Sequence, residues 1–186
     1  MARVKKQERH EILKRQVNEK PFLTDEELSK LLKVSIQTIR LDRTELGIPE
    51  VRERIRKVAQ EAREKVTTIE KDDLVGELIE LEPGHSGVSL LKVTDDMVFA
   101  KNQIAKGHYI FSQANSLALA LIDAPMAVTG VANIKYKVPV KVGEMLVATA
   151  EVIRQRRNKF FVWVKTRNDH EEVFRAKFIV VSLTEG

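Results

Sequence analysis

The chain contains no cysteine. That excludes disulfides, thiolate metal sites and cysteine nucleophiles. It also lacks a long hydrophobic run. The most apolar stretch, residues 117–122, falls far short of the roughly 20 residues that span a bilayer, so no membrane association is expected. The N-terminus, MARVKKQERHEILKR, carries charges where a secretory signal needs an apolar core, so the expected location is cytoplasmic. The four histidines, His10, His85, His108 and His170, are scattered and show no metal-ligand spacing. No metal and no cofactor are expected. Carboxylates are missing where they would matter for hydrolysis: between Phe99 and Ile122 there is no Asp or Glu to activate a water, and His108 has no acidic neighbour in sequence.

What is present falls into two parts. The 186 residues suit one ordinary domain or two small ones, and 43% hydrophobic content is enough for a packed core. The net charge of +5 is unevenly placed. Residues 1–66 hold 17 Lys+Arg against 12 Asp+Glu, whereas the remainder is balanced at 15 of each. A basic first third attached to a neutral remainder suggests two jobs, with the basic part facing a polyanion.

In the basic part, Ile12, Leu13 and Val17 mark a helix over residues 5–18, which Pro21 ends. Thr24 and Glu27 form a capping box for a second helix with Leu28, Leu31 and Leu32 as its buried stripe. Ser35 is a good N-cap for a third helix. Its Ile39 and Leu46 point inward, leaving Gln37, Thr38, Arg40 and Arg43 outside. A short helix, a tight turn and a helix with polar side chains at its start make a DNA-binding helix-turn-helix. Gln pairs with adenine and Arg with guanine in the major groove, and Ser35 and Thr38 suit phosphates or bases. Lys33 stands in the turn where many such motifs have glycine, at a backbone cost if φ is positive. From residue 50 to 66 an amphipathic connector helix follows. Its Arg52, Arg54 and Arg56 could enter an adjacent minor groove, but ordinary solvated helix charge with i,i+4 partners such as Glu53–Lys57 is the slightly better reading.

After Thr67 short β-like runs take over: residues 74–81, 88–93, 127–136, 145–153, 160–166 and 173–183. Turn signals such as Pro83-Gly84, Val142-Gly143 and Asn168-Asp169 separate them. One apolar helix, residues 104–122, interrupts them after the second strand. This order is that of a hot-dog domain, in which a curved antiparallel sheet wraps a buried helix. The expected fold class is therefore α+β. It comprises a helix-turn-helix over residues 1–48, a connector helix over 49–66 and a hot-dog domain over 67–186.

Two runs carry a family resemblance. One is Val34-Ser35-Ile36-Gln37-Thr38-Ile39-Arg40-Leu41-Asp42-Arg43, followed by Ile48-Pro49-Glu50. The other is Val98-Phe99, Asn102-Gln103-Ile104-Ala105-Lys106-Gly107-His108, Phe111 and Gln113-Ala114-Asn115-Ser116-Leu117. Together they closely resemble the FapR family, repressors of fatty acid and phospholipid synthesis genes in Gram-positive bacteria. The resemblance implies a homodimer joined through its hot-dog domains. It also implies an inverted-repeat operator in double-stranded DNA, and release from it by malonyl-CoA. By matching positions it assigns Phe99, Lys106, Gly107 and Asn115 to the malonyl site; the residues expected at DNA, from the helix-turn-helix reading, are Ser35, Gln37, Thr38, Arg40, Arg43 and Arg52. Lys106 departs from the family, which has Arg there. A guanidinium grips a carboxylate with two parallel bonds, whereas an ammonium is a compact point charge. No catalytic residue is expected. The competing readings are an acyl-CoA thioesterase fused to a DNA-binding head and a repressor that senses a different acyl-CoA.

Overall fold

The computed structural model describes residues 5–20 and 22–183. Pro21, expected to end the first helix, lies outside them. The chain divides into two units, one ending at Val58 and the other starting at Ala59.

The first unit contains α1 (Lys6–Glu19), α2 (Asp25–Leu32), α3 (Ile36–Glu45) and the start of α4 (Val51–Glu64). Leu13 and Val17 of α1, Leu28 and Leu32 of α2 and Ile39 of α3 form its core. Leu31 does not join them; it lies one residue off the stripe and is exposed. The capping box forms as the sequence implies: the Thr24 hydroxyl accepts from the Glu27 amide, and Glu27 accepts from the Thr24 amide. Lys33 closes α2 in the left-handed region at φ 54°. The turn offsets the cost of a side chain there by two bonds: the Val34 amide donates to the Ser29 carbonyl, and the Ser29 hydroxyl donates to the Val34 carbonyl at 2.6 Å.

The second unit is a six-stranded antiparallel sheet around one helix. Its strands are β1 (Glu77–Glu82), β2 (Ser86–Lys92), β3 (Ala127–Tyr136), β4 (Met145–Arg156), β5 (Lys159–Arg167) and β6 (Glu172–Ser182), in the order β1-β2-β4-β5-β6-β3. Alternation is clear in β5, where Phe160, Val162, Val164 and Thr166 are buried and the residues between them face out. The inward side chains close over α5 (Gly107–Ala120), which buries Ile110, Ala114, Leu117 and Ala118. Gly87 of β2 permits this close approach, because a Cβ there would lie 2.9 Å from Leu121 Cδ1. Ala62 and Val66, at and just beyond the end of α4, belong to the same core.

The helix is shorter than the apolar run that suggested it. Residues 104 and 105 are extended instead, forming isolated bridges to Lys141 and Val98. Conversely β4 runs on to Arg156 past a bulge between Val152 and Arg154, which the sequence pattern hides by breaking the alternation. No described helix is long and apolar enough to cross a membrane.

Candidate functional sites

Helix α3 starts on Ser35, whose hydroxyl accepts from the Thr38 amide at 3.2 Å and lies 2.9 Å from the Thr38 hydroxyl. These two residues spend much of their hydrogen-bonding capacity capping the helix. Gln37 and Arg40 are exposed on its outer face. The Arg40 side chain is 67% accessible and only grazes Asp25 at 3.5 Å. Leu41, 71% exposed, and Thr44 continue the same stripe at i+4 and i+7 from Gln37. Leu41 was missed by sequence reasoning, which treats an apolar helical residue as core. Facing outward beside Gln37 it suits contact with a thymine methyl group.

Two arginines do not lie where the sequence placed them. Arg43, expected on the outer side, is buried. Its guanidinium binds both Asp25 oxygens at 2.7 and 2.9 Å and donates to the Ile48 carbonyl at 3.2 Å. It is three residues on from Arg40, but the helix has turned it toward α2. Arg43 therefore ties α2, α3 and the following turn together. Arg54 is likewise buried, donating to the carbonyls of Pro49 and Leu23 at 2.5 and 2.6 Å. Burial, and then the neighbouring Arg43 cation, hold its pKa below the usual arginine value. Arg52 and Arg56 remain exposed on α4.

In the second unit the expected effector residues gather around α5. Lys106 is its N-cap, half-buried, with Nζ donating to the Asp96 carbonyl at 3.0 Å. Asp96 is acidified, first by the Thr94 hydroxyl and less by the Lys106 charge. Gly107 opens the helix, where first-turn amides and the helix dipole favour an anion. Its carbonyl accepts from the Tyr136 hydroxyl at 2.8 Å, and a Cβ at Gly107 would come within 2.9 Å of that ring. Phe99, 51% exposed, sits on a loop closed by the Phe99 amide donating to the Ile104 carbonyl and the Gln103 amide donating back. Asn115 lies two turns along from Gly107, half-buried, and accepts from the Thr129 hydroxyl of β3 at 2.6 Å. A cavity of about 360 Å³ opens beside the helix start, lined by Gly107, Ile110, Tyr136 and Val138. Of the four expected residues only Gly107 lines it. Tyr136 and Thr129 were not anticipated, because their roles depend on β3 lying against α5.

His108 is exposed and stacks on Tyr109 at 4.3 Å; no carboxylate pairs with it among the described residues. Spacing also failed to show that His10, Asp42 and Glu45 converge. Their carboxylates are occupied by the protein's own cations. Arg9 binds Asp42 and Lys6 binds Glu45 at 2.6 Å each.

The thioesterase superfamily matches residues 107–174, which span α5 to the start of β6. Solved structures give the same fold. A sigma28-regulated virulence protein from Campylobacter jejuni aligns with a TM-score of 0.63 at 24% identity, over 69% of this chain and 92% of that one. An uncharacterized protein from Pyrococcus horikoshii aligns with a TM-score of 0.57 at 31% identity, over 60% and 85%. Full-length relatives are more specific. The chain is 63% identical to Transcription factor FapR of Caldanaerobacter subterraneus subsp. tengcongensis over 99% of its own length and 92% of the relative's. It is 43% identical to Transcription factor FapR of Staphylococcus aureus over 95% of both.

Proposed function

Since this chain belongs to the FapR family of transcription factors, we propose that it represses genes of fatty acid and phospholipid synthesis and leaves its operator when malonyl-CoA binds the hot-dog domain. The observation that carries this reading is the pairing of two features in one chain. One is a capped recognition helix that presents Gln37 and Arg40 outward. The other is a hot-dog helix that starts on Lys106 and Gly107 and carries no Asp or Glu of its own.

The chemistry of the effector is a carboxylate joined to a thioester. Lys106 Nζ offers the cation, the start of α5 at Gly107 offers amides and a close approach, and Asn115 offers an amide side chain. Binding there requires Lys106 to exchange the Asp96 carbonyl for the ligand. Double-stranded DNA with an inverted repeat is the partner of a homodimer. Support for the dimer comes from β3, an edge strand that exposes Val128 and Val131 on one face and Ile134 and Tyr136 on the other. Such an edge calls for cover.

A malonyl-CoA titration of the protein on a palindromic operator, at one salt concentration, tests the proposal. Selective release by malonyl-CoA over acetyl-CoA and free CoA is expected. A hundredfold loss of operator affinity corresponds to about 2.7 kcal/mol of coupling. Binding without selective release would leave a repressor of a different acyl-CoA. Steady hydrolysis of the thioester would instead favour the enzyme that the thioesterase match suggests. The absence of Asp and Glu from α5 argues against that outcome.

A further inference from the structure

We propose that the outer face of the hot-dog sheet holds a second ligand site, one for an unpaired nucleotide, built around Trp163. The face opposite α5 has no part in the effector site, and its residues are arranged in two adjoining rows by strand register. One row runs Asn133, Lys177, Trp163, Glu151, Ser86 across five strands. The next runs Lys135, Arg175, Lys165, Thr149, Val88. The first row presents an aromatic ring that is 43% exposed, although tryptophan normally contributes its area to a core. Lys177 Nζ stands 4.5 Å from the centre of that ring. The second row places three cations side by side on neighbouring strands, about 5 Å apart.

Beside Trp163 the sheet is hollow. Large side chains give way to Ser86, Val88 and Thr149, leaving a cavity of about 300 Å³ walled by Trp163 and Lys165 of β5 on one side and by Glu80 of β1 on the other, with Glu151 of β4 next to Trp163. Its size suits one heteroaromatic base. The indole offers a stacking surface, the carboxylates accept from an exocyclic amine, and Lys165 lies where the attached phosphate would follow, with Lys135 two strands further along the same row. Arg175 already holds Glu172 and contributes less. Charge complementarity with the phosphate decides the class of occupant: an uncharged aromatic ligand would not use the basic row. A nucleotide can come from a single strand or from a free pool.

Trp163 is the only tryptophan in the chain and so reports on its own site. The full-length protein would be titrated with a short single-stranded oligodeoxycytidylate and, separately, with cytidine monophosphate, following tryptophan fluorescence. Saturable quenching is expected. If the oligonucleotide alone quenches, the occupant is a strand; if the mononucleotide quenches equally well, it is a free nucleotide. Anisotropy of the labelled oligonucleotide then compares variants. Trp163→Ala and the double variant Lys165→Gln, Lys177→Gln should each weaken binding about tenfold, whereas Trp163→Phe should retain it. Duplex-operator affinity, which belongs to the recognition helix, serves as the control for folding. Unquenched fluorescence, or wild-type oligonucleotide affinity in Trp163→Ala with an intact operator complex, would overturn the proposal.

Discussion

Arg9 of α1 grips Asp42 of α3 with two charge-assisted bonds, Nε at 2.6 Å and Nη2 at 3.0 Å, and both side chains are buried. His10 adds a third contact to the same carboxylate at 2.9 Å. Hydrogen bonding from Arg9, more than that from His10, keeps the Asp42 carboxyl below its usual range. Asp42 sits midway along the helix whose other face presents Gln37 and Arg40. The ion pair thus fixes the rotation of the recognition helix about its own axis. Asp42→Ala leaves the Arg9 guanidinium without its main counter-charge and is expected to cost the head about 3–5 kcal/mol. Thermal unfolding and operator binding should fall together. An unchanged melting profile would remove the role given to this pair.

Arg40 and Arg43 should separate cleanly. Arg40→Ala is expected to lose about 1–3 kcal/mol of discrimination between operator and mutated operator while keeping its thermal stability. Arg43→Ala removes the bidentate partner of Asp25 and should lower stability first, with affinity loss following from that. Gln37→Ala should behave like Arg40→Ala. Circular dichroism melts beside mobility shifts on matched and mismatched operators distinguish the two kinds of loss.

Lys106→Ala is expected to bind operator normally and to remain bound when malonyl-CoA is added. Lys106→Arg should respond at lower malonyl-CoA concentration, because a guanidinium fork can contact both carboxylate oxygens. The concentration of malonyl-CoA giving half-release reads both. Wild-type release in Lys106→Ala would refute the anchoring role.

Glu172 binds Lys137 at 2.8 Å and Arg175 at 2.9 Å, and hydrogen bonding, led by Arg175, holds its pKa down to about 2. A depressed carboxyl stabilises the fold when ionised. Its contribution is therefore complete above the unfolded value near 4.5 and is lost as pH falls toward about 2. The melting temperature of Glu172→Gln should lie below wild type at neutral pH, and the gap should close across that window. A gap that persists in strong acid would assign the effect to packing.

Where local chemistry decided the structure, the sequence revealed it. The Thr24–Glu27 box, the Ser35 cap and the strand alternation of β5 were all readable, since each is a contact within a few residues or a simple period. So were the number of strands and the position of the helix among them. Legibility failed where distant segments meet. Arg43 carries the same side chain as Arg40 and sits one turn away, yet the packing of α3 against α2 turns Arg43 inward onto Asp25 and leaves Arg40 exposed. Residues 104 and 105 read as helix because they are apolar, but pairing with Lys141 and Val98 draws them into bridges. At the proposed effector site the chain offered Lys106 and Asn115, while Tyr136 and Thr129 could be found only once β3 was seen against α5. The aromatic and basic rows on the outer sheet face were equally hidden, since register alone assembles them.

The acid-free composition of α5 bears on how information would leave this molecule. A hot-dog enzyme destroys what it recognises, so its occupancy measures the rate of supply. On the proposed repressor reading a bound thioester departs unchanged. Occupancy then follows the concentration of the metabolite and reverses when that concentration drops, so the cell can consult the pool repeatedly without drawing it down.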